Sequence, residues 1–401
     1  MAARAAKGPA GGKGRGGGKG DGDGHGHGKG AGATPASLGF RMPAEWEPHR
    51  ATWIAWPHHR PDWPGKFPAI PWVFAEVVRQ LARPALSSAR PRERVAILVE
   101  DAAGERDARR VRVRSGAPLE QVEFHRRPTD RVWTRDYGPL FVTSDAGEVA
   151  ATDWKFNGWA KYRNHRRDDR VAAAIGPLRG RRAFRATASD GGAARQVVLE
   201  GGSIDVDGRG TLLTTEECLL SPVQARNPWL DRAGIERALG EHLGVRRVIW
   251  LKDGIVGDDT HGHVDDLARF VAPATVLIAS EPDPADVNHR ALAENLALLR
   301  AARTADGQPL EVRTLPMPAP VVFDGVRLPA SYANFYIGNH AVLVPTFDDP
   351  RDRQALAVLE ACFPDRAVVG IHARDLVWGL GTFHCMTQQE PLGGPAVRSA
   401  G

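Results

Sequence analysis

The stretch DDTHGHVDD, residues 258–266, lies between two short apolar runs, RRVIWL (246–251) and ATVLIAS (274–280). It places four aspartates and two histidines within nine positions. Such a density of ionisable groups beside apolar runs is typical of a metal site or of a site of proton transfer. A third interpretation is a turn in which aspartate side chains cap backbone N–H groups. The stretch by itself leaves all three open.

The geometry of an extended HGHVD segment serves two of these interpretations. Side-chain alternation would place His261, His263 and Asp265 on one face, with neighbours about 6.6–7 Å apart. His263 and Asp265 could then hold one small ligand from two sides. The same pair of histidines could instead ligate a metal, with His384 and Cys385 as further ligands.

The apolar runs predict an α/β fold. Runs that are rich in β-branched residues and bounded by Gly, Pro or charge predict buried strands, and four more follow this pattern: RVAILVE (94–100), RQVVLE (195–200), HAVLVP (340–345) and RAVVGI (366–371). Amphipathic helical patterns occur at 71–86, 287–303 and 352–363, and the first places Val73, Val77, Val78 and Leu81 on one face. Because no linker interrupts residues 38–393, one long domain is expected.

The basic character of the chain belongs to its N-terminus. The formal net charge is +5, and residues 1–36 contain six Lys or Arg against two Asp, so the rest of the chain is close to neutral. This segment, rich in Gly and Lys, has almost nothing to bury, so we predict a disordered tail over 1–36 and a folded domain over 37–401. A near-neutral domain argues against nucleic acid as the main partner, although the tail could bind it as an accessory.

Cysteine use and hydropathy predict the compartment. Three cysteines, Cys218, Cys362 and Cys385, without a CxxC spacing argue against a disulfide framework and a structural zinc site. Apolar runs are much shorter than the roughly 18 residues of a membrane span. The N-terminus also lacks the apolar segment of a secretory signal. We therefore expect a cytoplasmic protein with no membrane partner.

Three further stretches carry reactive groups beside apolar runs: WTRDYGP (133–139), LEGGSIDVDG (199–208) and GTFHCMTQQEP (381–391). Cys385 follows Gly379 and Gly381, which allow close approach of a ligand to the backbone, and it precedes a polar TQQ. It is a candidate nucleophile if a base such as His263 lies near it, and otherwise an inert core cysteine. Cys362 fits a core position and Cys218 is ambiguous.

Two acids complete the set of candidates. Glu200 ends an apolar run before Gly201 and Gly202, so its carboxylate could point into a cleft or lie on a solvated turn. Asp136 could act in a site or form a local pair with Arg135. Asp136 and Glu200 are 64 positions apart, and Glu200 and His263 are 63 positions apart. His263 and Cys385 are 122 positions apart, which is twice 61. Near-equal intervals suggest a repeated module that brings one polar group each to a common axis.

Six motifs in order resemble the agmatine deiminases, which group with the bacterial-type peptidylarginine deiminases in the guanidine-modifying superfamily. They are RMPAEWEPHRATWIAWP (41–57), WTRDYGP, LEGGSIDVDGRGTLLTTEECLL (199–220), GDDTHGHVDDLARFV (257–271), SYANFYI (331–337) and HCMTQQEP (384–391). The resemblance implies a pentein fold, a five-bladed α/β propeller of pseudo-repeated ββαβ units, and a deiminase catalytic domain over 37–401. It covers essentially residues 40–392.

The resemblance also implies a mechanism without metal or cofactor. Cys385 would be the nucleophile, His263 the acid and base, and Glu200 its carboxylate partner. Asp136 and Asp265 would hold the guanidinium. The implied reaction hydrolyses agmatine to N-carbamoylputrescine and ammonia through a covalent amidino-thioether, in the supply of putrescine and polyamines. The family resemblance also allows a homo-oligomer.

The substrate is less specified than the chemistry. Agmatine carries a distal amine, so acids or aromatic faces should meet it: Trp133 and Glu47 are candidates, with Trp46, Asp258 and Asp259. Many family members have Gly-Gly-Gly-Asn-Ile-His-Cys where this chain has GLGTFHC (379–385), which changes the wall of the site. An arginine or peptidylarginine deiminase is the alternative on the same fold. A metallohydrolase built on His261, His263 and Cys385 is the alternative of another class. His261 has no assigned role in the main hypothesis.

Overall fold

A computed structural model describes residues 33–84, 90–116 and 120–393. Nearly all of the predicted tail, residues 1–32, lies outside the described residues, as do positions 85 and 86 of the first predicted helix. The described chain has an α/β fold, as predicted. None of its helices is long and apolar enough to cross a membrane.

The α-helices in chain order are α1 (Ile70–Leu81), α2 (Ala102–Ser115), α3 (Thr134–Tyr137), α4 (Val171–Leu178), α5 (Glu216–Leu220), α6 (Arg232–Leu243), α7 (His289–Ala301) and α8 (Arg351–Cys362). Short 3-10 turns lie at Ala36–Leu38, Arg60–Asp62, Phe67–Ala69, Asp168–Arg170, Gly201–Ser203, Val264–Asp266 and Leu376–Gly379. The strands are β1 (Phe40–Arg41), β2 (His49–Ala55), β3 (Arg94–Val99), β4 (Val122–Arg126), β5 (Leu140–Ser144), β6 (Val149–Asp153), β7 (Arg182–Arg185), β8 (Thr187–Ala188), β9 (Arg195–Gln196), β10 (Asp205–Val206), β11 (Thr211–Thr215), β12 (Arg247–Leu251), β13 (Ala268–Ala272), β14 (Thr275–Ser280), β15 (Glu311–Pro316), β16 (Val322–Phe323), β17 (Val326–Arg327), β18 (Tyr336–Ile337), β19 (Ala341–Thr346), β20 (Ala367–His372) and β21 (Gln388–Pro391).

Five sheets of three or four strands in the described ranges share one construction. Their orders are β21-β2-β3-β4, β1-β5-β6-β7, β10-β11-β12, β13-β14-β15 and β18-β19-β20, and two further pairs, β8-β9 and β16-β17, are separate. In each of the five, an antiparallel pair is followed by a parallel pair, as in β13–β14 and β14–β15. A parallel pair needs a crossover, and helices supply it, for example α7 between β14 and β15. A repeated unit of this kind is what the spacing of the polar groups predicts.

The end of the chain joins its beginning in one of these sheets. β21 pairs antiparallel with β2, with Trp53 opposite Gln388. This pairing places the polar segment that precedes β21, including Cys385, beside the sheet that contains β2, β3 and β4. It is the topological reason that a residue near position 385 can meet residues near positions 136 and 200.

Five of the six predicted strands are confirmed as β3, β12, β14, β19 and β20, and the last two helical patterns as α7 and α8. The helix predicted from residue 71 spans Ile70–Leu81, with Val77, Val78 and Leu81 buried and Val73 partly buried. The strand prediction for RQVVLE is wrong beyond Gln196. There the side chain of Asn227 binds Val198 on both backbone groups, at 2.9 Å from its N and 2.8 Å from its O, and so takes the place of a neighbouring strand.

The middle of the β21-β2-β3-β4 sheet supplies a test of the core. Ile97 in β3 is fully buried between parallel neighbours on both sides. We expect Ile97→Ala to lower the free energy of unfolding by about 2–5 kcal/mol, because the cavity adds to the lost transfer energy. Val113→Ala on α2, where the side chain is 62% exposed, should change it by less than about 0.5 kcal/mol. Urea unfolding of both variants measures this, and equal losses would contradict the packing described.

Candidate active site

Five of the predicted site residues meet in one buried cluster. The ring of His263 lies at its centre, with Nδ1 3.8 Å from Asp136 Oδ1 and 3.9 Å from Asp265 Oδ1, and Nε2 3.7 Å from Glu200 Oε2. Cys385 Sγ lies 3.6 Å from Asp265 Oδ2. Each of the five side chains is at most 5% exposed, so their charges interact in a medium far less polar than water.

The loop that carries His263 differs from the predicted extended segment. His261 and Gly262 have left-handed backbones, with φ of 67° and 85°, and Val264–Asp266 forms a 3-10 turn. The carboxylate of Asp258 accepts the backbone N–H groups of Gly262 and His263, at 2.9 and 2.8 Å. The prediction of a shared strand face is therefore wrong, and a capped turn brings His263 and Asp265 into the cluster instead.

His261 is separated from this cluster by the same turn. Its Nε2 lies 3.1 Å from Ser221 Oγ and its Nδ1 3.5 Å from Glu217 Oε1. Because alternation on a strand was the reason to pair it with His263, the geometry offers no His-x-His ligand pair here. Two other sets have ligand atoms within 4.8 Å of one another in the described residues and could hold a metal ion: Glu200, Cys218 and His263, and Asp265, Asp266 and Cys385.

Gly202 makes room for the three ionisable groups around His263. A Cβ on this residue would lie 2.6 Å from His263 Nδ1, 2.8 Å from Asp136 Oδ1 and 3.0 Å from Asp265 Oδ2. Its backbone N–H also donates to Asp136 Oδ1 at 3.1 Å. Gly202 therefore allows these side chains to contact one another, because a Cβ at this position would push the histidine and the carboxylates apart.

The pKa values of the cluster reflect burial and mutual charge. Burial opposes the charged form of His263, but Asp136 and then Cys218 and Glu200 raise its pKa well above the ordinary histidine value. Burial raises the pKa of Asp136 to about 7, helped by Asp265 and Glu200 and opposed by His263. Near neutral pH His263 is therefore protonated, while Asp136 is only partly ionised.

Glu200 is held as a carboxylate by a buried arginine. Arg226 Nε lies 3.1 and 3.3 Å from its two oxygens, and both side chains are fully buried. Burial would raise the pKa of Glu200, but Arg226 and His263 outweigh it and lower the pKa. The guanidinium of Arg226 also donates to the backbone oxygens of Gln224 and Thr260, which anchors it to the loop before His263.

Cys385 is positioned by Asn334, a residue of the SYANFYI motif. Asn334 Nδ2 donates to Cys385 Sγ and to Asp266 Oδ1, both at 3.0 Å, and its Oδ1 accepts from Thr382 Oγ1 at 2.8 Å. Burial and the neighbouring Asp265, Asp266 and Asp136 raise the pKa of the Cys385 thiol well above its ordinary value. In the free protein at neutral pH, Cys385 is therefore a thiol beside acids.

Asp265 belongs to a second chain of buried contacts. Its Oδ2 lies 2.7 Å from His384 Nδ1, and His384 Nε2 lies 2.9 Å from Glu45 Oε2. Glu45 in turn accepts from Arg135 and Arg269 at 2.9 Å each. Burial would raise the pKa of Asp265, but His384 outweighs it and lowers the pKa, so Asp265 is the ionised acid beside Cys385.

One cavity opens onto Cys385 and Asp136. It is lined further by Trp133, Trp159, Tyr162, Leu380, Arg131, Asp259, Thr260 and Gly379. Trp159 Nε1 donates to Asp136 Oδ2 at 2.9 Å, and Tyr162 OH donates to Asp259 Oδ2 at 2.6 Å. Two acids and three aromatic rings in one lining fit an elongated dication with an apolar middle.

The structure brings Trp133 to this cavity but not Glu47. The carboxylate of Glu47 binds Arg41, at 2.8 and 3.0 Å, and accepts the N–H of Ala44. Asp258 caps the His263 turn, and Trp46 packs against the hydrophobic core. Of the residues considered for the distal end of a ligand, Trp133 and Asp259 line the cavity.

Sequence reasoning missed several residues of the site, among them Glu45, Arg226 and Asn334, and considered His384 only as a metal ligand. A signal existed for two of them, since Glu45 stands in EWEPH and Asn334 in SYANFYI. Cys362 is a partly buried helical residue of α8, as expected. Cys218 is buried in α5, and its sulfur lies within 4.8 Å of Glu200 and His263.

The Glu200–Arg226 pair supplies a test of these electrostatics. Arg226→Met should lower the free energy of unfolding at neutral pH by about 3–5 kcal/mol, because it removes the nearer cation of a buried carboxylate and leaves only His263 beside it. The loss should shrink as pH falls through the acid range, since protonation of Glu200 removes the unpaired charge. Arg195→Met, which breaks the exposed pair with Asp190, should cost less than about 1 kcal/mol. Denaturant unfolding at several pH values decides, and a loss that grows toward acid pH would contradict the assignment.

Comparison with known proteins agrees with this site. The family model of the Porphyromonas-type peptidyl-arginine deiminases matches residues 41–391. The agmatine deiminase of Pseudomonas aeruginosa (strain LESB58) is 39% identical over 382 residues, which cover 90% of this chain and 97% of that protein.

Two solved structures are similar in fold. The agmatine deiminase of Enterococcus faecalis has a TM-score of 0.78 at 34% identity, covering 90% of this chain and 98% of that one. A cysteine-to-serine variant of the C. jejuni agmatine deiminase, with substrate bound, has a TM-score of 0.75 at 26% identity, covering 88% and 97%. On the match along residues 41–391 and these identities, this chain belongs to the Porphyromonas-type peptidyl-arginine deiminase family.

Proposed function

We propose that this protein is an agmatine deiminase, which hydrolyses agmatine to N-carbamoylputrescine and ammonia and so supplies putrescine synthesis. The observation that carries the proposal is the buried cluster of Cys385 and His263 between the carboxylates of Asp136 and Asp265. A thiol, an acid–base group and paired acids are the groups that covalent hydrolysis of a planar guanidinium needs. The curated and solved relatives named agmatine deiminase support the substrate.

The two aspartates hold the substrate. A guanidinium is planar and permanently charged, and carboxylates bind it through paired charge-assisted hydrogen bonds. Asp265 is ionised in the free protein, and Asp136, with a pKa of about 7, loses its proton when a cation arrives. The two acids therefore orient the central carbon of the guanidinium toward Cys385 Sγ.

The first chemical step forms a carbon–sulfur bond. A bound cation offsets the negative charges that, together with burial, raise the pKa of Cys385, so the thiol releases its proton to solvent as the substrate binds. The thiolate attacks the guanidinium carbon, and the departing nitrogen takes a proton from the His263 imidazolium and leaves as ammonia. A covalent amidino-thioether on Cys385 remains.

The second step is the hydrolysis of this intermediate. His263, now neutral, takes a proton from a water that attacks the same carbon, and the carbon–sulfur bond breaks. The ureido product leaves, and Cys385 is restored. Glu200, kept ionised by Arg226, stabilises the imidazolium at the stages in which His263 is protonated.

The distal part of the substrate lies toward the cavity mouth. Trp133, Trp159 and Leu380 supply apolar walls for the methylene chain, and Asp259 supplies a negative charge for the terminal ammonium. In the free protein, Lys161 and Tyr162 bind Asp259. The arginine alternative needs a cation for the α-carboxylate, and Arg131 in this cavity is engaged by Asp62 at 2.6 Å and by the Tyr162 ring.

The fold supports the same proposal. Five sheets with one construction are what a five-bladed α/β propeller of ββαβ units requires, and we assign that arrangement to the domain 37–401. The active-site acids and His263 then stand on successive units. Pairing of β21 with β2 joins the last unit to the first.

Product analysis tests the activity. Purified wild-type protein with EDTA should convert agmatine to N-carbamoylputrescine, and Cys385→Ala should show no conversion, because the carbon–sulfur bond cannot form. Arginine serves as the competing substrate and should remain essentially unconverted. Mass spectrometry of the products decides. Conversion by the alanine variant contradicts the mechanism, while conversion of arginine alone by the wild type contradicts the substrate.

Alkylation tests the proposed state of the nucleophile. The rate of Cys385 modification by iodoacetamide should rise with pH, with a midpoint above the ordinary cysteine value of about 8.5, because Asp265 and the other acids disfavour the thiolate. Asp265→Asn should move the midpoint down. Asp266→Asn should move it less, since Asp265 contributes more than Asp266 to the raised pKa of Cys385. Peptide mass spectrometry measures both, and an unchanged midpoint in Asp265→Asn contradicts the electrostatic origin.

A further inference from the structure

Leu380 stands in a backbone conformation that favours glycine. It has φ 68° and ψ 26° at the end of the Leu376–Gly379 turn, and its N–H donates to the Val377 oxygen at 2.9 Å. An L-residue with a side chain crowds its own backbone in this left-handed region, and glycine does not. A leucine here is therefore less favourable for the backbone than a glycine would be, so its presence is explained by what the side chain contacts.

The glycines on either side explain why only this position has a side chain. A Cβ on Gly379 would lie 2.8 Å from both the Trp133 and Trp63 rings. A Cβ on Gly381 would lie 3.0 Å from Cys385 Cβ and 3.0 Å from Trp133. The backbone is thus pressed between tryptophan rings and the nucleophile, and Leu380 is the position of the three from which a side chain extends into the cavity.

The cavity around the Leu380 side chain is lined by aromatic rings and by acids. Leu380 is partly buried against the main hydrophobic core and lines the cavity with Trp133, Trp159 and Tyr162. Asp136, which accepts from Trp159 Nε1, and Asp259 are the two acids of this lining. Carboxylates and aromatic rings in one cavity fit a straight methylene chain with a cation at each end. The Leu380 side chain takes up part of the width of that cavity.

We propose that Leu380 is a specificity-determining residue, whose side chain narrows the cavity so that unbranched guanidines are accepted and α-branched guanidines are excluded. The proposal rests on the proposed function and names which substrates that site takes. Steric width acts separately from charge, because Asp259 by itself repels a carboxylate but not a neutral branch.

A branched substrate without negative charge separates the two effects. L-Argininamide carries a carboxamide branch where agmatine has hydrogen, so it probes width without the repulsion that arginine experiences. In Leu380→Gly, the ratio of kcat/KM for argininamide to that for agmatine should rise at least about tenfold, the scale on which a few methylenes in an apolar pocket discriminate. Arginine should gain less, because the charge of Asp259 remains.

Ala274→Gly is the matched control. Ala274 has φ 61° in the turn between β13 and β14, away from the cavity, so the variant relieves the same backbone preference without touching the cavity lining. Both glycine variants should remain folded, which thermal unfolding checks, and only Leu380→Gly should change the ratio. Leu380→Ala, which keeps an L-residue at this φ, should change it in the same direction by less.

The outcomes separate the two proposals. Wild-type protein that converts agmatine, together with an unchanged ratio in folded Leu380→Gly and Leu380→Ala, overturns the role of Leu380 alone. A change of the ratio in Ala274→Gly of the same size also overturns it, since the effect would then come from the backbone. Wild-type protein that does not convert agmatine contradicts the proposed function and this role with it.

Discussion

The carboxylate of Glu45 is the buried charge on which the rest of the site depends. It accepts from Arg269 in β13, from Arg135 in α3 and from the backbone N–H of Ile337 in β18, and it lies against His384. Four segments that are distant in sequence therefore meet at one group. Two arginines and a histidine lower its pKa well below the ordinary range despite burial. Such a network tolerates loss of a member poorly, because each remaining charge would be left unpaired away from water.

The second organising feature is an excess of acid around the reacting groups. Asp136, Glu200 and Asp265 surround His263, and each is at most 4% exposed. Burial, and then like charges this close to one another, disfavour the ionised forms, so the pKa of Asp136 is raised to about 7 and that of Cys385 well above its ordinary value. A cation relieves both effects at once. In the proposed mechanism, entry of a cationic substrate balances the charge of these acids and favours the thiolate of Cys385.

The order of motifs was sufficient to identify Cys385, His263, Asp136 and Asp265 as candidates, and the structure places them together. The residues that contact and position these candidates were harder to predict from the sequence. His384 and Glu45 are separated by 339 positions, and Arg226 is separated from Glu200 by 26. Glu45 and His384 stand in motifs, but the sequence does not show that they contact each other, and Arg226 stands in no motif. The choice of Glu47 shows the limit, because two glutamates stand two positions apart in one motif, and only the fold directs the first inward and pairs the second with Arg41.

The sequence by itself determined the α/β class, the longer buried strands β3, β12, β14, β19 and β20, the helices α1, α7 and α8, and the chemical types of the reacting groups. Hydrophobic periodicity and motif order could give these because both are local properties. The tertiary structure decided what depends on contacts between distant segments. It replaced the expected strand face at HGHVD by a turn capped by Asp258, and it ended the RQVVLE strand by the side chain of Asn227. It also set the protonation of Asp136 and Cys385. These outcomes follow from burial and from charges brought together in space, which no single stretch of the chain contains.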